Sequence, residues 1–339
     1  MLTGSLSPNT SLFRLQGLKR LNLSFSNFSG SIPSGFSQLV SLTYLNFSGC
    51  SFSGSAPLDI SLLSKLISLD LSTNDLKFDR QSFDMLTRNL SKLENLVLDL
   101  VNMSDVVPTS FMNLPSPLKQ LGIKFCNLKG KFPTEIFQFR YLEYVDLSLN
   151  SLIGYLPSSN WSSHLKYIDL NYNQFRGSIP ASIGNLTKIT FLDLSNNEFQ
   201  GQLPSALFSH KQLTDLVLSN NSLEGFLPTH IQKPNSVQKV DLSYNEIHGE
   251  IPSSFFDLVN LTELDLSSNN FNGVINSVMF SKLENLLTLD LSSNSFSSVI
   301  SGIRRLGTIV LEIGLHAACE FPTCQEAARA MYAAVKKRD

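Results

Sequence analysis

A nine-residue pattern, leucine-x-x-leucine-x-leucine-x-x-asparagine, returns twelve times along this 339-residue chain, mostly at intervals of 24 residues. The copies begin at Leu18, Leu42, Leu66, Leu93, Leu118, Leu142, Leu165, Ile189, Leu213, Val237, Leu261 and Leu286. The clearest read LKYIDLNYNQFRGSIP from Leu165, ITFLDLSNNEFQGQLP from Ile189 and VQKVDLSYNEIHGEIP from Val237. A period of this length denotes stacked supersecondary units, not independent globular domains. Within each copy apolar and polar residues alternate, as a strand with one buried face requires. One unit is too small to hide its own leucines. Each must lean on the next, and stacking aligns the short strands into a parallel sheet.

The ninth position holds Asn74, Asn150, Asn173, Asn197, Asn221, Asn245, Asn269 and Asn294. These read as a buried ladder whose amides satisfy the backbone of the turn leaving each strand. Cys50 and Cys126 occupy the same position and read as buried ladder thiols, not nucleophiles. Ser26 and Val101 interrupt the column, and local strain is expected there. Beyond the ladder comes a segment such as FRGSIP at Phe175 or IHGEIP at Ile247, in which glycine permits positive φ and proline limits further sheet pairing.

Three regions depart from the pattern. Residues 1–17 look like part of a preceding unit without a cap, and residues 76–92 form an irregular long unit in which LKFDRQSFDMLTRNLSK should make a loop. The regular solenoid is expected over 18–309, with about twelve repeats. Residues 310–339 fit a degenerate last unit, with Val310, Ile313 and Leu315 as its apolar positions, followed by a short helix opened by Thr323 and Glu326 as a capping box. Cys319 and Cys324 match no disulfide framework and read as a reduced pair.

Hydrophobic residues at 42% and charged residues at 16% exclude intrinsic disorder. A formal charge of −2 gives no basic field for nucleic acid or an anionic membrane. Neither a signal peptide nor a membrane-spanning helix is visible in the sequence as it stands. The five histidines, His164, His210, His230, His248 and His316, are scattered without a phased nucleophile or carboxylate and read as solvated surface residues. No phosphate loop or zinc spacing occurs, so neither an enzyme, a cofactor nor a metal is expected.

Residues 2 to about 300 resemble the ectodomain of plant leucine-rich-repeat receptor-like proteins, particularly the disease-resistance type. The likeness is carried by the repeat and by the ordered runs NTSLFRLQGLKRLNLSFSNFSGS from Asn9, LTYLNFSGCSFSG from Leu42, ISLLSKLISLDLS from Ile60 and NMSDVVPTSFMNL from Asn102. The resemblance implies an α/β-type solenoid, a right-handed leucine-rich-repeat superhelix with a concave parallel β-sheet and a second short strand at the GxIP element. It also implies recognition of an extracellular protein, peptide or glycan at the plasma membrane of a plant cell, and defence or developmental signalling through a partner receptor kinase. Two alternatives stay open. One is a secreted inhibitor similar to those that block cell-wall polygalacturonases, against which the number of repeats and the missing caps argue. The other is a truncated product without stable function, which a cooperative thermal transition would contradict.

Candidate ligand residues are the variable positions flanking the second and third leucines in units five to eight: Lys124, Phe125, Tyr144, Lys166, Tyr167, Tyr172 and Phe191. Tyr144, Tyr167 and Phe191 share one column of three successive strands and should form an exposed aromatic row. A second column, Asp70, Asp146, Asp169, Asp193, Asp241, Asp265 and Asp290, is expected at the water surface, where it either attracts a basic peptide or bonds locally. Ten glycosylation sequons, at Asn9, Asn22, Asn27, Asn46, Asn89, Asn102, Asn160, Asn185, Asn220 and Asn260, favour a secreted history. Glycans on Asn22 and Asn46 would obstruct the inner face of the first two units, which directs attention to units five to eight.

Overall fold

The structure is a computed structural model that describes residues 3–300 apart from 9, 234, 277 and 278, together with 310–311. The leucine pattern produces the arrangement it demands. Thirteen strands line up in chain order as one parallel sheet, from Arg20–Asn22 to Val310–Leu311. The register places equivalent residues opposite each other, as with Leu45 beside Leu69 and Ile168 beside Leu192. Leu45, Leu69, Leu96, Leu121, Val145 and Ile168 are fully buried behind this sheet. Burying one such side chain is worth roughly 1.5–3 kcal/mol, and here it is realised only when the neighbouring unit is in place. At the far end, Leu311 sits opposite Leu289, so the last strand is two residues out of step with the register expected from Val310, Ile313 and Leu315.

A second sheet follows the GxIP elements. Seven short parallel strands run from Lys129–Lys131 to Asn270–Phe271, and further pairs form at either end of the chain. Glycine is required where this strand turns: Gly249 has φ +90, and a Cβ there would lie 2.5 Å from the Phe226 ring. Behind the sheets, 3₁₀ turns close most units, and aromatic rings from successive units interlock, as in the run Phe83, Phe111, Phe132, Phe137 and Trp161.

The long unit contains a helix, not the expected loop. This helix, α1, spans Arg80–Asn89; Ser82 N–H donates to Asp79 Oδ1 at 2.7 Å and the Ser82 hydroxyl accepts from Asp79 N–H at 3.1 Å. Phe83 and Leu86 lie on its buried side, and it packs between the turns Leu58–Leu62 and Pro108–Asn113.

The asparagine ladder is a complete hydrogen-bonding device. Asn173 Nδ2 donates to the carbonyls of Leu147, Leu170 and Asn171 at 2.9, 3.1 and 3.2 Å, while its Oδ1 accepts from Leu152 N–H at 3.0 Å. The Cys50 and Cys126 thiols donate to the Leu23 and Leu98 carbonyls at 2.9 and 3.1 Å but offer no amide oxygen to the unit before. There the cysteine carbonyls accept instead, from Phe28 N–H at 2.9 Å and Met103 N–H at 2.8 Å. The residue following each cysteine, Ser51 or Asn127, takes a left-handed φ. The interruptions at Ser26 and Val101 thus belong to pairs of units, each with the cysteine that follows. The terminal helix proposed at Thr323, the pair Cys319 and Cys324, His316 and the sequon at Asn9 lie outside the described residues.

Candidate ligand-binding face

Alternation within each inner strand turns the leucines inward and leaves the third and fifth positions of the unit on the opposite side. The register brings Tyr144, Tyr167 and Phe191 together. Their rings are stacked, with centroids 4.3 and 4.4 Å apart and planes inclined by 11° and 5°. The row exists, yet it is half-buried, not exposed as expected, because each stacked ring covers part of its neighbour. Burial and the adjacent carboxylates Asp146 and Asp99 push the Tyr144 phenol up to about 12, and burial raises Tyr167 further, so both hydroxyls remain protonated donors.

The aspartate column meets the expectation of a water-surface position only in part: Asp70, Asp241, Asp265 and Asp290 are half-buried, and three others lie deeper. Asp146, Asp169 and Asp193 are 4%, 4% and 8% exposed, in the same strands as the rings. Asp146 Oδ1 accepts from Ser148 N–H at 3.0 Å and from the Ser148 hydroxyl at 2.6 Å, and Asp193 makes the same pair of bonds with Ser195. Asp169 Oδ1 accepts from Asn171 N–H at 3.0 Å. Each aspartate therefore clamps the turn two residues onward. Burial, followed by repulsion from Asp146 and Asp193, raises the Asp169 carboxyl to about 7. Asp99 is similarly raised to about 6, first by burial and then by Asp146 and Asp70. It bonds Lys124 N–H at 2.8 Å and occupies the space above Gly122, where a Cβ would come within 3.1 Å of its oxygen.

The remaining candidates divide into two places. Lys166 is exposed and ion-paired with Glu143 at 2.6 Å, beside the equivalent pair Lys119 and Glu94 at 2.7 Å. Lys124 is half-buried next to the acidic column. Phe125 and Tyr172 do not join the aromatic stack; they lie in the turn leaving the strand, with φ of +53 and +50. Leu100 and Leu149 hold the same turn position and went unnoticed in the sequence, although their place just before the ladder column marks them. His210 also departs from expectation. It is 4% exposed, its Nε2 has no partner among the described residues, and burial lowers its pKa.

Among the sequons, Asn22, Asn27, Asn89, Asn160, Asn185, Asn220 and Asn260 are exposed. Asn102 is half-buried. Asn46 is committed elsewhere: its Nδ2 donates to Asp70 Oδ2 at 3.2 Å and the Tyr44 hydroxyl at 3.3 Å, while Oδ1 accepts from Ser48. Among the described residues no three histidines, cysteines or carboxylates converge as a metal site.

Stacked units with a continuous inner parallel sheet and an asparagine ladder define a solenoid of the leucine-rich-repeat class. Leucine-rich-repeat models match residues 17–39, 41–63, 164–186, 188–210, 211–271 and 285–306, together more than half of the chain. The chain belongs to the leucine-rich-repeat family. It is similar to Receptor-like protein 6 of Arabidopsis thaliana, 36% identical over 198 residues that cover 56% of this chain and 20% of the relative. It is also similar to the Receptor-like protein Cf-9 homolog of Solanum lycopersicum, 39% identical over 165 residues, 48% of this chain and 19% of the relative. The chain thus spans about a fifth of the length of these plant relatives. Among solved structures, the plant peptide hormone receptor RGFR1 in complex with RGF2 superposes with a TM-score of 0.78 at 31% identity, over 87% of this chain and 46% of that one. Among the described residues no helix is long and apolar enough to cross a membrane.

Proposed function

We propose that the inner face of units five to eight recognises an extracellular protein or peptide, and that the chain is a non-catalytic ligand-binding segment of a plant receptor-like protein. In this reading it serves defence or developmental signalling at the plasma membrane and passes the bound state to a partner receptor kinase. The observation that carries the reading is the ring stack of Tyr144, Tyr167 and Phe191 on the free side of the sheet. A pre-stacked aromatic row has already lost most of its side-chain freedom, so a ligand orders little on docking, and aromatic residues dominate binding energetics where they are desolvated. The similarity to plant receptor-like proteins, and to a receptor solved with a peptide hormone, supports a peptide or protein over a small metabolite. Lys124, Lys166, Phe125 and Tyr172 complete the contact surface, with Lys166 released from Glu143 as the ligand arrives. The exposed sequons carry the glycans, and Asn46 stays unmodified because glycosylation would break its bonds to Asp70 and Tyr44.

The test is a secreted form of the chain used to select from a random peptide display library, beside a variant with Tyr144, Tyr167 and Phe191 all changed to alanine. Peptides enriched on the parent should lose at least about tenfold in affinity for the variant, since one aromatic anchor is worth roughly 2 kcal/mol or more. Enriched peptides that bind both proteins equally overturn the assignment.

A further inference from the structure

The position just before the ladder is left-handed in all twelve units, with φ between +50 and +66. Glycine and asparagine adopt this backbone most readily, whereas bulky side chains resist it. Gly49, Thr73, Asn196, Asn220, Ser268 and Ser293 make the turn with small, hydroxyl or amide side chains, and Phe25 and Tyr244 carry a ring there singly, so the fold does not need a run of apolar residues at this position. Four consecutive units nevertheless carry Leu100, Phe125, Leu149 and Tyr172. Their backbones are linked in a ladder: Leu100 N–H donates to Lys124 O at 2.8 Å, Phe125 to Ser148 O at 2.9 Å, Leu149 to Asn171 O at 2.9 Å and Tyr172 to Ser195 O at 3.1 Å. The four residues therefore stand side by side at the strand-exit edge of the inner face, each partly open to solvent. A costly backbone repeated with apolar side chains at an exposed edge points to use, not to folding.

The neighbouring columns say what kind of partner fits. In these units Asp99, Asp146 and Asp169 sit at the fifth and seventh positions, opposed there by Lys124 alone. Asp146 and Asp169 are withdrawn from solvent, and burial raises the Asp99 and Asp169 carboxyls to about 6 and 7, so the columns carry their full charge only above neutral pH and a cation held over them favours the ionised form. We propose that Leu100, Phe125, Leu149 and Tyr172 form a second contact line for the ligand of this face. Its occupant is an extended peptide crossing units four to seven, placing apolar side chains on that line and lysine or arginine over the adjoining acidic columns. The inference rests on the assignment of the inner face as the binding surface, and adds the chemistry of what it binds.

Three fluorescently labelled nonapeptides serve as probes: alternating lysine and leucine, alternating glutamate and leucine, and alternating lysine and serine. Anisotropy titration of the chain at pH 8, where Asp99 and Asp169 are ionised, should show the lysine–leucine peptide binding at least about tenfold more tightly than either control. The double variant Phe125→Asn, Leu149→Asn, produced with its parent in a host that does not glycosylate because the second change creates a sequon with Asn150 and Ser151, should melt at the same or a higher temperature, since asparagine suits the left-handed turn, yet lose about tenfold in lysine–leucine affinity. Equal binding of the lysine–leucine and glutamate–leucine peptides overturns the proposal, as does an unchanged affinity of the double variant. A concentration-dependent dimer that the same substitutions dissociate overturns it in favour of a second copy as occupant. If the triple alanine variant loses the library-selected peptides while the double asparagine variant loses nothing, the inner face stands as a binding surface and the contact line falls.

Discussion

Replacing Asp169 with asparagine should stabilise the protein at alkaline pH and flatten its response to acid. The substitution keeps the Oδ1 acceptor that receives Asn171 N–H at 3.0 Å, and its amide can face the Tyr167 hydroxyl 3.4 Å away. What it removes is a carboxylate that is 4% exposed and flanked by Asp146 and Asp193. The folded pKa stands at about 7 against an ordinary aspartate value of 3.8, so the native state holds the proton more tightly than the unfolded state. Stability is therefore highest below the unfolded value, declines as pH rises through the window from about 4 to 7, and is flat beyond it. At 1.36 kcal/mol per unit the full shift would correspond to about 4 kcal/mol. Mutual relief among the carboxylates reduces the expected gain to about 1–3 kcal/mol at pH 8, with little difference near pH 4. Trp161, the chain's single tryptophan, lies buried in the return of the preceding unit and reports locally on urea unfolding. Asp99, raised to about 6, should leave a residual slope in the variant. Parallel pH profiles for parent and variant between pH 5 and 8, or a variant less stable at pH 8, would refute the account.

Two further substitutions examine the core. His210 takes the place held by Leu186 and Leu258 in neighbouring units, and its Nε2 is buried without a partner among the described residues. His210→Leu should add about 1–3 kcal/mol, the penalty of an unsatisfied buried polar group. Because the folded pKa is depressed, the parent should lose stability as pH falls below about 6.5 and the variant should lack that decline, measured by thermal melts at pH 7.5 and 5 in the Asp169→Asn background. Asn173→Ala should cost about 3–5 kcal/mol, since one buried acceptor and one donor to three carbonyls disappear together. Asn173→Cys should fall between parent and alanine, because a thiol restores one donor as Cys50 and Cys126 do; urea midpoints in the order alanine above cysteine would contradict the ladder argument.

The stack was legible in the sequence because the same alternation recurs twelve times, so a residue's place in its unit fixes its column and its cross-strand neighbours. That arithmetic alone places Tyr144 beside Tyr167 and Tyr167 beside Phe191. Depth was not legible in this way. Asp146 and Asp290 share a column, yet Asp146 is buried and Asp290 half-exposed, because aromatic rings lie beside the first and Thr288 precedes the second. The helix Arg80–Asn89 was hidden because its long unit has no template among the other described units, although Phe83, Leu86 and Leu90 have helical spacing. His210 was visible in principle: comparing it with Leu186, Leu258 and Leu283, each three residues before a strand's first apolar position, would have placed it in the core.

The costs in this molecule are unevenly distributed, and their distribution bears on function. Units nine to twelve keep the ladder asparagine, and at the left-handed turn three of the four place asparagine or serine. Units four to eight gather a broken ladder at Val101 and Cys126, a bare Gly122 under a raised Asp99, three buried aspartates and four consecutive apolar residues on left-handed backbone. At about 1–2 kcal/mol for each bulky left-handed residue, the last feature alone rivals the stability of a small domain. In a solenoid, stability is close to a sum over units and their interfaces, so regular units can offset irregular ones nearby. Packing among the leucines cannot account for the irregularities, because the same leucines are packed equally well where the inner face is plain. What the irregular units have in addition is rings, charge and apolar edges on the side that folding leaves free, which is where a ligand would have to find them.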